Sequence, residues 1–427
     1  MLEELNLVGL IEKIYYYKTK TGLPVYMWIN EKIKSMHASL SVRYGSVHTS
    51  FKKGKKSFTV PDGTAHYLEH VKFNIDENTT AHDEFLKLGG DANAFTTFKY
   101  TSYIVFATEN KCENLRLLLD FVYNPFFTKK LVNKERGIII EEAAMGQDAP
   151  YTICFFKSLS NIFSKLKYKD YITGTKEEIE KITVADLNLV YDTFYHPENM
   201  FLIITGNFNP YEMAKVAEET LSEKTFNEYE NPIIIKEHEP QKVAKEYEEE
   251  FLNISYPRIK YQVKLDLNKF SNISYYEIKL LSNLIMNINF GGTSTLRDNL
   301  MQKNLITSMY ASTDIYDDFL VLSVTASTDY IDEVVGQIDK TFHNLKVTKE
   351  DYLRKRNAGI ASLILQFENI ETVNTSLQDN LINEGKIITD MKDRIESITL
   401  SDLESIIDLI DLDNKNITIF KPQKNQD

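Results

Sequence analysis

The chain has 427 residues, more than one hydrophobic core normally serves, and this length predicts two domains. Its 43% apolar and 26% charged residues are those of a globular protein, and no run reaches the roughly 18 apolar residues that a membrane span needs. A formal charge of −13 argues against nucleic acid as a partner, because phosphate binding needs a basic face.

The first residues, MLEELNLVGLIEKIYYY, lack the basic start, apolar core and small-residue cleavage site of a secretory leader. The two cysteines, Cys112 and Cys154, form neither a metal-finger spacing nor a disulfide framework. Together these features predict a cytoplasmic protein. Next come two β-rich runs, KIYYYKTKTGLPVYMWI and SMHASLSVRYGSV, the second alternating apolar residues at Leu40, Val42 and Tyr44.

GTAHYLEHVKFN follows, with His66 and His70 four apart and Glu69 between them. In a helix, positions i and i+4 lie one turn apart on one face, so both imidazoles can meet one ion and Glu69 reaches the same space. Imidazole and carboxylate are the usual ligands of catalytic zinc, and H-x-x-E-H is the inverted form of the common zinc-protease helix. An ordinary amphipathic helix, with Leu68 and Val71 as core contacts, accounts for the same residues. A third ligand decides between these readings.

DANAFTTFKYTSYIVFATEN is β-branched and aromatic, whereas LRLLLDFV and LVNKERGIIIEEAAM read as helices. The last of these offers Glu135, Glu141 and Glu142 as third ligands. Glu135 and Glu142 are two turns apart and share a face, beside Ile138 and Ile139 as burying residues. His82 and the remaining histidines have no partner at ligand spacing.

The chain repeats itself. IEKITVADL from Ile179 answers IESITLSDL from Ile395, and each precedes a short β-rich run. The strand–helix pattern of YIVFATENKCENLRLLLDFV recurs in FLVLSVTASTDYIDEVVGQIDKTF. NEYENPIIIKEHEPQKVAKEYEEE lies between the halves and reads as an extended linker with one strand. The run from Val347 to about Asn383 predicts one long packing helix. The division is therefore residues 1–222, a linker at 223–247, and a similar domain at 248–427. The irregular order of strands and helices predicts an α+β class.

GTAHYLEHVKFN, GGDANAFTTFKYTSY, KERGIIIEEAAMGQDAP and GTKEEIEKITVADLNLVYDTFYHPENMFLIITGNF resemble the pitrilysin family of zinc metallopeptidases. These are the inverzincins, which include insulin-degrading enzyme and the mitochondrial processing peptidase. The resemblance runs over most of residues 15–210 and is strongest to short two-domain bacterial members that act as pairs of unlike subunits. It implies that each half is a mostly antiparallel six-stranded sheet flanked by helices. It implies one Zn2+ held by His66, His70 and Glu142, with Glu69 as the catalytic glutamate and Glu135 as an accessory acid. It implies that Asn93, Ala94 and Phe95 hold a peptide substrate by added-strand pairing.

One departure stands out. Aligning QKNL with the family pattern puts Leu300 and Thr307 where single-chain members carry an arginine and a tyrosine that reach the substrate. Arg297 and Tyr310 each lie three residues off register. A related second subunit supplying arginine and tyrosine is therefore expected, with this chain as the catalytic subunit. The rival reading is a non-catalytic peptide-binding or scaffold subunit of the same fold.

Overall fold

The computed structural model describes residues 2–270 and 273–423. They form two compact units: Met1–Gly146, Asp170–Lys236 and Ile364–Asp390 make one, and Gln147–Lys169, Glu237–Leu363 and Met391–Asp427 make the other. No helix among the described residues is long and apolar enough to cross a membrane.

The strands of the first unit are β1 (Glu3–Asn6), β2 (Lys13–Lys18), β3 (Pro24–Ile29), β4 (Met36–Val42), β5 (Ser50–Lys53), β6 (Lys56–Thr59), β7 (Gly90–Thr96), β8 (Thr101–Ala107), β9 (Met200–Gly206) and β10 (Ile233–Ile234). Seven of them make one sheet, in the order β1-β2-β3-β9-β4-β8-β7, and β10-β5-β6 make a small second one. Alternation along β4 works as the sequence predicts: Ala38, Leu40 and Val42 enter the main core together with Val25, Met27, Leu202 and Ile204. The opposite face is buried too. Trp28, Phe201 and Ile203 pack there against Val373, Leu377 and Leu381 of the Ile370–Asn383 helix. Polar groups meet there as well: Ser39 Oγ donates to Asn374 Oδ1 at 2.6 Å, and Gln378 Nε2 donates to the same oxygen at 2.7 Å.

The second unit contains β11 (Tyr247–Leu252), β12 (Arg258–Asp266), β13 (Ser308–Tyr316), β14 (Phe319–Ser327) and β15 (Lys415–Pro422), in the order β11-β15-β12-β14-β13. This order reproduces β3-β9-β4-β8-β7, strand for strand. The internal repeat is thus a five-strand unit. Its best-matched segments are two helix starts: Thr183 with Asp186, and Thr399 with Asp402, each form a capping box.

The expectation of two six-stranded, mostly antiparallel sheets is corrected. The sheets have seven and five strands, and both are mixed, with β3 parallel to β9 and β11 parallel to β15. The reason is geometric. In each unit the last strand enters between two strands of opposite direction, so it must run parallel to one of them. The extra β1–β2 ribbon is added to the first sheet only. The single helix expected over Val347–Asn383 is also corrected. It is two helices, Lys349–Leu365 and Ile370–Asn383, because the Asn369 side chain accepts from the amides of Glu371 and Thr372 and starts a new helix.

One buried ion pair ties the second unit together. Glu239 accepts from the amides of Ser164, Lys165 and Leu166 and from Lys264 Nζ at 2.8 Å. Lys264 is fully buried, and its amine also reaches the carbonyls of Ile162, Pro240 and Lys242. Burial raises the Glu239 pKa, but the lysine and the three amides together outweigh it and hold the carboxylate below its usual range. Stability from this group is therefore complete above the unfolded carboxylate pKa and is lost as pH falls through the lower folded value. Removing one partner strands a buried charge, so Glu239→Gln should cost about 3–5 kcal/mol. Hydrogen exchange at the Ser164–Leu166 amides should show this loss of protection.

Candidate active site

Gly63 begins the Thr64–Lys72 helix with φ 85°, and a Cβ there would lie 2.3 Å from the Thr173 carbonyl oxygen. Only glycine fits both the left-handed backbone and the contact. Tyr67 and Leu68 of the helix are buried in the core, and Tyr67 Oη donates to the Val132 carbonyl of the Lys129–Asp148 helix. Arg136 of the second helix donates to the Ile182 carbonyl at 2.8 Å. Buried Leu131, Val132, Ile139 and Ala143 hold it down, while Ile138, expected inside, points to solvent.

The two helices bring His66, His70 and Glu142 together. His66 Nε2 lies 3.4 Å from one oxygen of Glu142, and His70 Nε2 lies 3.1 Å from the other. One donor atom from each residue falls within 4.8 Å of the others. Two imidazole nitrogens and one carboxylate oxygen facing a common point are the donor set of a catalytic zinc with an open position. The cluster is geometrically consistent with one zinc ion per chain. Glu141 is not part of it. Glu135, buried on the same helix, approaches His70 Nδ1 to 3.9 Å, the place of a carboxylate that orients a ligand imidazole.

Electrostatics separate the acids. The hydrogen bond from His66 holds the Glu142 carboxyl below its usual range. Glu69 is only 7% exposed, and burial pushes its carboxyl up, against the pull of His66 and of a hydrogen bond from Thr96 Oγ1. Burial likewise lowers the His70 imidazole, with the neighbouring His66 adding to the effect. A carboxylate poised upward beside a metal cluster is suited to accepting and returning a proton.

These groups line an open cleft of about 650 Å³, whose wall includes Asn93, Ala94, Phe95 and Thr96 of β7. β7 ends the sheet order, so its outer edge is available for pairing. The Asn93 side chain turns back to accept from the Ala94 amide at 2.8 Å. Thr96 escapes a reading by spacing. Its only sequence signal is that it shares a strand face with Ala94. His82 lies at the cleft, stacked flat on Phe73 at 4.4 Å and outside the metal cluster. In the second unit, Leu300 is buried in the core and the Thr307 hydroxyl bonds the Ser327 carbonyl. Arg297 donates to the Gly292 carbonyl, and Tyr310 is half-exposed.

Comparison with known proteins agrees with this geometry. Residues 31–176 match the insulinase (peptidase family M16) model, and residues 181–358 match the peptidase M16 inactive domain. The chain has the fold of the M16 zinc metallopeptidases. The uncharacterized zinc protease YmfH of Bacillus subtilis is 37% identical over 228 residues, 53% of each chain. The match therefore spans about half the length of that relative. Among solved M16 structures, a putative M16-like peptidase from Alicyclobacillus acidocaldarius superposes with a TM-score of 0.91 at 24% identity, over 98% of this chain and all of the other. The periplasmic protease PqqL of Escherichia coli superposes with a TM-score of 0.74 at 18% identity, over 97% of this chain and 48% of that one.

The PqqL match overturns the expected cytoplasmic location. A periplasmic protein carries the same M16 fold, and Cys112 and Cys154 are simply unpaired. Cysteine scarcity does not report the compartment of a chain with large apolar cores, since such cores need no disulfides.

Glu135→Gln should weaken zinc affinity about 10–100-fold while leaving the three ligands in place. Competition with a chromophoric chelator would measure it, and unchanged affinity would remove Glu135 from the site.

Proposed function

We propose that the chain is a zinc endopeptidase acting on unfolded peptides. The observation that carries this reading is the meeting of His66, His70 and Glu142 beside a buried Glu69, in a cleft walled by an open strand edge. His66, His70 and Glu142 would hold the zinc, which when bound supplies Lewis acidity toward water and the scissile carbonyl. Glu69 takes the proton of the attacking water and returns it to the leaving amine. Thr96, donating to Glu69 at 2.5 Å, fixes which carboxylate oxygen stays free for that transfer. Residues Asn93–Phe95 align the substrate by main-chain pairing, which gives grip with little side-chain selectivity. A scaffold subunit would have no use for a buried carboxylate at this position. In this division of labour the first 222 residues carry the chemistry, and no metal cluster occurs among the described residues after the 223–247 linker.

The active form, in this proposal, pairs with a related chain lacking zinc. The buried Leu300 and the bonded Thr307 leave no arginine or tyrosine at the family positions. A partner supplying both would stabilise the developing oxyanion, a role worth about a hundredfold or more in rate.

Glu69→Gln should lower peptide cleavage by about 10²–10⁴-fold with zinc content unchanged, followed with a quenched fluorescent peptide alongside metal analysis. The isolated chain should cleave weakly, and the partner should raise the rate about a hundredfold. Full activity without a partner would refute the pairing.

A further inference from the structure

Arg258, Lys260 and Gln262 alternate along β12, so their side chains leave one face of the second unit's sheet. The register extends this face across the sheet. Lys260 sits opposite Thr325 and Thr325 opposite Tyr310, and the next row is Gln262, Ser323 and Ser312. The Pro150–Ile162 helix covers part of this polar surface, with Asn161 bonded to Thr418 and Cys154 packed on Phe420. Beside the helix remains a pocket of about 250 Å³.

Its polarity is specific. Gln262 and Thr325 are 2% and 3% exposed, yet Gln262 Oε1 and Thr325 Oγ1 have no hydrogen-bond partner. Buried polar atoms are normally satisfied, so these await a ligand or water. Arg258 and Lys260 both line the pocket, and neither forms an ion pair among the described residues, in a chain whose net charge is −13. Burial lowers the Lys260 amine, and Asp314 offsets only part of that effect. Tyr151, Phe155, Tyr310 and Tyr316 supply the apolar lining.

We propose that this pocket binds the C-terminal residue of a peptide, its free carboxylate between Arg258 and Lys260. The terminal amide N–H would donate to Gln262 Oε1, and the Thr325 hydroxyl would donate to the carboxylate. The volume lies below that of drug-sized ligand sites and limits the occupant to about one residue. Asp314 in the wall disfavours a doubly charged phosphate over a singly charged carboxylate. The inference stands on the second unit's own residues and does not rest on the zinc chemistry.

The test is calorimetric titration of the full chain carrying Glu69→Gln, which prevents turnover. The probes are N-acetyl-phenylalanine, its amide, a pentapeptide ending in phenylalanine, and inorganic phosphate. The acid and the pentapeptide should bind alike, and the amide should bind at least about tenfold more weakly. Adding Lys260→Met or Arg258→Met should cost a similar factor, whereas His66→Ala should leave binding unchanged, which separates this pocket from the metal cluster. If either cation variant fails to fold, Thr325→Val and Tyr310→Ala must weaken binding instead. Equal binding of acid and amide, tighter binding of phosphate, refusal of the pentapeptide, or loss of binding with His66→Ala would each overturn the proposal.

Discussion

Three ligand atoms drawn from two helices converge only if those helices cannot slide past each other. Here the Thr64–Lys72 helix is fixed at its start by the Gly63–Thr173 backbone contact and at its middle by Tyr67 against Val132. The Lys129–Asp148 helix is fixed by Arg136 on the Ile182 carbonyl and by one buried apolar face. A slip of one turn would move Glu142 by about 5.4 Å, farther than its present distance to either imidazole. The site is thus a property of the first unit's core as much as of its four polar residues.

What could be read from the sequence was what depends on neighbours along the chain. The register of His66, Glu69 and His70 follows from helical period alone, and the alternation in β4 follows from strand period. The repeat was visible at Thr183–Asp186 and Thr399–Asp402 because capping boxes are local. Choosing Glu142 over Glu141 took a family pattern, since both are plausible on a helix until the partner helix is placed. The parallel pairings β3–β9 and β11–β15 were out of reach because they join segments more than 150 residues apart. Thr96 on Glu69 was hidden although only 27 residues separate them, because the contact depends on how a helix and a strand are placed in the fold. The break at Asn369 was within reach, because asparagine before a helical pattern is a start signal.

The two units take one strand order and use its second face differently. In the first, the Ile370–Asn383 helix covers that face and bonds part of its polar surface, through Ser39 Oγ, Asn374 Oδ1 and Gln378 Nε2. In the second, beside the Pro150–Ile162 helix, Gln262 Nε2 donates to Ser323, whereas Gln262 Oε1 and Thr325 Oγ1 have no partner. The strand order is common to the two units, and the helix laid on the second face is not.

The proposed docking of peptides on the β7 edge has a consequence beyond grip. A ladder made of amide and carbonyl groups cannot be evaded by changing side chains, but it fails where the incoming chain has no N–H to give. Proline, or an N-methylated residue, removes that donor and stiffens the backbone at the same point. Chains rich in such residues would slip past this edge whatever their other chemistry, so imino content becomes a natural shield against docking there.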